Sequence, residues 1–98
     1  IMVGKILSVE KVPDTDKLLK LEVDLAEEKP RQIISGISLY FPDISILVEK
    51  KCMFVANLEP RTIRGFESNG MILAVSTDDG KFSLLEPNDQ IPVGTKAK

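Results

Sequence analysis

Histidine and tryptophan are absent from this chain, and cysteine occurs once, at Cys52. Those absences remove the usual zinc ligand sets and the Ser-His and Cys-His pairings of nucleophilic catalysis. Neither GxxxxGKS/T nor GxGxxG occurs, so no phosphate-cradling glycine loop is encoded. Cys52 cannot form an internal disulfide, and its place in the apolar run CMFVA fits a buried structural thiol in a reducing compartment. No apolar run approaches the roughly 18 residues a membrane span needs, and the N-terminus lacks a charged-then-apolar leader. The expectation is a cytoplasmic chain with no membrane partner, no metal and no cofactor.

Charge of one sign is also lacking. Thirteen Lys and Arg against 15 Asp and Glu give a net charge of −2, so a nucleic-acid partner would need a local cluster of cations. Aromatic residues make up only 5% of the chain. What is present is ordinary globular composition, 43% hydrophobic and 29% charged, in a chain of 98 residues. That length predicts one domain spanning residues 1–98 with a single modest core. The chain starts on Ile1 in a strand-like segment and ends on PVGTKAK, which resembles a natural chain end; a fragment from the C-terminal part of a longer protein is expected.

The firmest local pattern is LLKLEVDL. Leu19, Leu21, Val23 and Leu25 alternate with Lys20, Glu22 and Asp24, the period of a half-buried strand. MVGKILSVEKV before it, RQIISGI after it, then KCMFVAN, GMILAVS and KFSLL are short, apolar or β-branched, and bounded by turn residues. Between RQIISGI and KCMFVAN, the connection SLYFPDISILVEK suits one or two short helices, with Asp43 as a cap. Three strands, a helical connection and two more strands is the order of an all-β, five-stranded OB barrel, a Greek key. KFSLL and the residues after it would add a C-terminal β extension. Phe54 and Phe82 are expected in the core. The acidic pairs in DTD and DD read as solvated turns.

OB barrels bind ligands on the face of strands 2 and 3, flanked by the loops between strands 1 and 2 and strands 4 and 5. On that plan Lys11 and Lys17 fall at the ends of the first loop, Lys20 on the outward face of strand 2, and Arg31 at the opening of strand 3. Arg61 and Arg64 lie in the loop NLEPRTIRGFE before the last barrel strand. Converging, they would offer ammonium groups and planar guanidinium forks to phosphate oxygens. A blander reading has Arg61 and Arg64 balancing Glu59 and Glu67 in a solvated loop, and charge alone does not choose between the two. Phe66 is the one aromatic in that loop, so shape, phosphates and 2′-hydroxyls suit this inventory better than serial base stacking.

DKLLKLEVDL, RQIISGI, VANLEPRTIRG and ESNGMIL resemble the tRNA-binding domain found at the C-terminus of many bacterial methionyl-tRNA synthetases. The same domain occurs alone in structure-specific tRNA-binding proteins and in the chaperone-like CsaA. The resemblance runs from Val3 to Lys96. It implies an OB fold, tRNA binding without anticodon-level choice, and a homodimer formed through segments flanking the barrel. Carried over by motif, it marks Lys17 of DKLL, Asn57 of NLxP, Arg61 and Arg64 after the proline, and Ser68, Gly70 and Met71 of SxGM as lining the RNA-binding face. Ser35 and Gly36 match a turn of structural role.

Each residue type suits its implied role. Asn57 can fix a loop or meet a 2′-hydroxyl, Ser68 can donate to a phosphate, and Gly70 admits a close backbone approach. Met71 is either a plastic contact or a core residue, the latter being commoner for a methionine opening an apolar strand. Three positions depart from the family: Val12 stands where histidine is common, Met2 where arginine is common, and Asn69 where glutamine or glutamate is common. The implied function is a non-catalytic tRNA-capturing and dimerising module beside the catalytic body of a methionine-tRNA ligase. The alternatives are a CsaA-like peptide-binding dimer and a plain dimerisation module.

Overall fold

The computed structural model describes residues 1–98. Its nine strands are β1 (Met2–Lys11), β2 (Leu19–Asp24), β3 (Arg31–Ser35), β4 (Lys51–Val55), β5 (Arg61–Ile63), β6 (Phe66–Ser68), β7 (Met71–Ile72), β8 (Ala74–Ser76) and β9 (Phe82–Leu84). Alternation decides which face of β2 is dry: Leu19, Leu21 and Val23 are fully buried, while Lys20, Glu22 and Asp24 look outward. β1, β2 and β3 form an antiparallel meander with Leu21 opposite both Val9 and Ile33.

A break in register between Ile6 and Ser8 lets β1 serve two neighbours. Its first half pairs with β4, from Met2 opposite Phe54 to Lys5 opposite Lys51, and its second half pairs with β2. Such a bulge bends the strand and curls the sheet. The resulting five-stranded sheet has the order β3-β2-β1-β4-β7. Edge strand β3 meets the segment leading into the other edge, β7, through single bonds rather than a full ladder: the Asn69 N–H donates to Gln32 O at 2.8 Å, and the Ile34 N–H to Ser68 Oγ at 3.0 Å. This is the OB barrel that the strand order predicted.

Inside lie Ile6, Leu19, Leu21, Val23, Ile33, Leu47, Cys52 and Phe54, all without exposed surface. Gly4 is required by this packing, since a Cβ there would come within 2.7 Å of both Leu25 and Phe54. Burial pushes the Cys52 thiol up to about 12, with the Glu86 carboxylate adding to the shift and Lys50 opposing it. It is the inert structural thiol expected.

One local expectation is met and two are corrected. SLYFPDISILVEK forms two short helices as expected, both of the 3-10 type, Ser38–Tyr40 and Ile44–Leu47; only Leu47 is buried, too little apolar surface to anchor a longer helix. The Asp43 carboxylate does cap the second, accepting from the Ser45 N–H at 3.1 Å. GMILAVS is two strands rather than one. At Leu73 the chain changes partners, its N–H donating to Met53 O at 3.0 Å and its carbonyl accepting from the Leu85 N–H at 3.2 Å, so that β8 pairs with β9 as a separate arm. Phe82 lies outside the fully buried core, stacked on the exposed Tyr40 with ring centroids 3.9 Å apart. Beyond the arm, the tail returns to β1: Lys96 bridges Met2, and the Ala97 N–H donates to Ile1 O at 2.8 Å.

Candidate nucleic-acid interface

The segment expected as a plain loop, NLEPRTIRGFE, is a hairpin. β5 and β6 pair with Ile63 opposite Phe66, which leaves Arg64 and Gly65 as a two-residue turn. Both have positive φ, +52° and +84°, the signature of a type I′ turn, whose twist matches that of the flanking strands. Glycine takes this region freely, whereas arginine is strained there. The sequence signal was an Arg-Gly pair between Ile63 and Phe66, obscured because Asn-Gly and Asp-Gly are the usual marks of this turn.

β3 anchors the hairpin. Gln32 Nε2 donates to Glu67 O at 3.0 Å, and the buried Ser68 accepts from the Ile34 N–H while donating to Gly70 O at 3.1 Å. Phe66 folds toward the outer face of β2, where the Lys20 ammonium sits 5.2 Å from its ring centroid. Lys20 also pairs with Glu10 at 3.2 Å. The hairpin is thereby held against the strand 2 and 3 face.

Two clefts flank it. One of about 500 Å³ brings Lys17 and Leu18 of the first loop, together with Asp14, Thr15 and Asp16, against Ile63 and Arg64. A smaller one of about 70 Å³ gathers Arg61, Ile63, Ser68, Gly70 and Met71 with Leu58 and Glu59. Lys17, Arg61 and Arg64 are exposed, and none has an acid within ion-pair distance; the pairs present are Lys5–Glu49, Lys20–Glu10, Arg31–Glu27, Lys50–Glu86 and Lys81–Asp79. Glu59 and Glu67 therefore form no ion pair with the hairpin arginines, although Glu59 lines the same cleft as Arg61.

The remaining site residues divide by exposure. Asn57 is exposed at the exit of β4, and Met71 is 49% exposed, so the commoner core reading of this methionine does not hold. Its neighbour Ile72 carries the core contact instead. Gly70 has φ +153°, and a Cβ there would lie 2.9 Å from Val55 O and 3.2 Å from Ile33 Cδ1. The Ser68 hydroxyl, expected to face a phosphate, is engaged at both ends within the barrel seam. Arg31 is likewise engaged. Its Nε and Nη2 donate to the two Glu27 carboxylate oxygens, each at 2.7 Å, and its Nη1 to Ala56 O at 2.6 Å and Asn69 O at 3.0 Å. The bidentate bond raises the Arg31 pKa and lowers that of Glu27. The Asn69 side chain reaches back only to Gln32 O, at 3.5 Å.

No three His, Cys, Asp or Glu side chains gather anywhere as a metal site would require. The chemistry on offer is anion binding by Lys17, Arg61 and Arg64, with an exposed amide and thioether alongside.

Residues 1–96 match the family model described as "Putative tRNA binding domain". Among curated proteins, the methionine-tRNA ligase of Enterococcus faecalis is 41% identical over 92 residues, 94% of this chain and 14% of that protein. The methionine-tRNA ligase of Methanocaldococcus jannaschii is 45% identical over 96 residues, 98% of this chain and again 14% of the relative. The chain thus spans about one-seventh of the length of these relatives. Among solved structures, a MetRS-related protein from Pyrococcus horikoshii superposes with TM-score 0.89 at 38% identity, covering 99% of this chain and 87% of that one. The chaperone CsaA of Bacillus anthracis superposes with TM-score 0.83 at 27% identity, covering 99% and 88%. With residues 1–96 of its 98 matched by the family's model and its barrel superposed on related structures, the chain belongs to the tRNA-binding domain family.

Proposed function

We propose that residues 1–98 act as one non-catalytic domain that binds tRNA through the β5–β6 hairpin and the first loop, largely independent of base sequence. One observation carries the reading: in a chain of net charge −2, Lys17, Arg61 and Arg64 are exposed without acid partners on the two sides of a single docked hairpin. Phosphates would replace the missing counter-charges, while Asn57 and Met71 meet sugar or base edges. Ser68 and Gly70 serve the same face by holding its floor.

The setting is the cytoplasm, as an appendage of a methionine-tRNA ligase, the activity of the relatives in which such a segment occurs. There a weak site linked to a specific one gains affinity through effective concentration and increases tRNA capture by the catalytic body. Two copies pair through the β8–β9 arm and the 3-10 connection, where Leu39, Ile46 and Val75 are each more than half exposed. Light scattering of this chain is expected to give the mass of two copies, and a monomer at high concentration would refute the pairing.

Titration with total tRNA at several salt concentrations tests the main reading. Affinity falls steeply as salt rises, and Arg61→Ala or Arg64→Ala each lowers the slope by about one unit. A second reading, a CsaA-like peptide binder, is favoured by a separate cleft of about 400 Å³ whose apolar half is Tyr40, Phe41, Phe82 and Leu84, with Lys50 and Glu86 among the rest of its lining. Tight binding of unfolded peptides with no response to tRNA would select it.

A further inference from the structure

Arg31 stands at the opening of β3 on the proposed RNA side, yet its donors are taken up within the chain. A guanidinium has five N–H groups. Four are engaged here, two by Glu27 in the turn before β3 and one each by the carbonyls of Ala56 and Asn69. Those carbonyls are placed tellingly. Ala56 immediately precedes Asn57, and Asn69 is separated from Met71 only by Gly70, so both exposed site residues emerge next to an anchored peptide.

The backbone ladder pairs the end of β4 with β7, and Asn69 reaches Gln32 O, but no other side chain joins all three segments. Gln32 and Ser68 tie the hairpin to β3, but neither reaches the exit of β4. Arg31 alone spans the β2–β3 turn, the end of β4 and the β6–β7 link, and Glu27 holds its plane through a two-point bond. A lysine could keep the charge at that place, but a single ammonium on a flexible stem does not reproduce a planar fork directed at two carbonyls and a carboxylate.

We infer that Arg31 is a positioning residue for tRNA binding: the β4–β7 ladder, with Val55 opposite Met71, sets the spacing of the two segments, and the Glu27–Arg31 clamp fixes the orientation of the peptides that carry Asn57 and Met71 without itself neutralising a phosphate. The inference rests on the proposed tRNA function and changes the role of one residue within it: the OB plan places Arg31 where a phosphate contact would be expected, while its bonds assign it to the frame.

The test compares tRNA affinity across salt concentration for the wild-type chain, Arg31→Lys, Arg31→Ala, Glu27→Gln and the control Glu28→Gln, which removes an adjacent exposed charge that has no ion pair. Thermal melts establish that each variant is folded at the assay temperature. A positioning role predicts that Arg31→Lys and Arg31→Ala both lose roughly tenfold in affinity, about 1.4 kcal/mol, with the salt slope unchanged. It also predicts that Glu27→Gln binds more weakly than Glu28→Gln, and that Arg31→Lys shifts the amide resonances of Asn57 and Met71 in the free protein. A phosphate contact predicts the reverse: Arg31→Lys retains affinity, Arg31→Ala lowers the slope by about one unit, and Glu27→Gln, by freeing the guanidinium, binds more tightly than Glu28→Gln. That result overturns the inference and leaves the tRNA function standing. A folded wild-type chain that binds no tRNA at any salt concentration overturns both.

Discussion

Replacing Arg64 with asparagine should make the domain more stable and a poorer ligand for tRNA. Arg64 holds φ +52° at the first central position of a two-residue hairpin whose second position is Gly65. Its side chain makes no ion pair and no hydrogen bond within the chain, so its removal leaves no buried group unpartnered. A left-handed backbone costs a non-glycine residue about 1–2 kcal/mol, and asparagine recovers part of this because its short polar side chain tolerates the region. Asn-Gly is also the favoured pair for this turn. The expected gain is about 0.5–1 kcal/mol, which for a domain of this size raises the melting temperature by about 2–8 °C. Differential scanning calorimetry reads that change. Binding moves the other way: with one fewer phosphate neutralised, tRNA affinity at low salt falls and the salt slope drops by about one unit. Opposite signs in the two assays are the diagnostic result. A variant that loses stability would refute the strained-turn account, and one that gains stability while binding tRNA with an unchanged slope would remove Arg64 from the interface.

Three further outcomes follow from the packing. Gly70→Ala places a Cβ 2.9 Å from Val55 O in a backbone region unfavourable for L residues, so a loss of about 1–3 kcal/mol in chemical denaturation is expected; a neutral result would mean that the β6–β7 link relaxes freely. Cys52, buried and with its thiol pushed up to about 12, should resist an aromatic disulfide reagent at neutral pH until denaturant unfolds the chain, and rapid labelling of the native protein would contradict the packed barrel. The Glu27 carboxyl lies below its ordinary value of 4.5 because Arg31 donates to it, so its contribution to stability is present above that pH and is lost as pH falls through the folded-state pKa. Solvent keeps the contribution small, and Glu27→Gln should abolish it; an unchanged pH profile between about 5 and 3 would show that the clamp is not formed in solution.

How much of this was legible in the sequence depended on whether a feature is local. The alternation of Leu19, Leu21, Val23 and Leu25 depends only on strand geometry, and together with the order of strands and the connection after β3 it was sufficient to define the barrel. The break at Leu73 was not legible. GMILAVS has the composition of one strand, and what divides it is a change of partner from Met53 to Leu85, residues far from it in the chain. The β5–β6 hairpin stayed hidden because arginine occupies a turn position where asparagine or glycine gives the usual signal. Residue type also does not reveal whether a donor is already engaged. Arg31 and Arg64 look equally available in the sequence, yet one makes four bonds within the barrel and the other makes none. Met71 escaped the core for a related reason: in the two-residue strand β7 the adjacent Ile72 fills the inward position.

The net charge of −2 looks ill suited to a polyanion until the charges are sorted by their partners. Lys5, Lys20, Arg31, Lys50 and Lys81 are each paired with a nearby acid, and such pairs contribute little to the field at a distance. Among the others without such partners, Lys17, Arg61 and Arg64 line the two clefts beside the hairpin that β3 anchors. At physiological ionic strength the screening length is about 8 Å, so a ligand at this surface responds to these cations together with Asp14, Asp16 and Glu59 in the same clefts, and much less to acids across the barrel. A phosphate backbone can therefore bind a chain that is acidic overall. The small number of cations at this surface also keeps the salt slope shallow and the isolated affinity modest, which suits a module whose contribution comes from being tethered beside a more selective site.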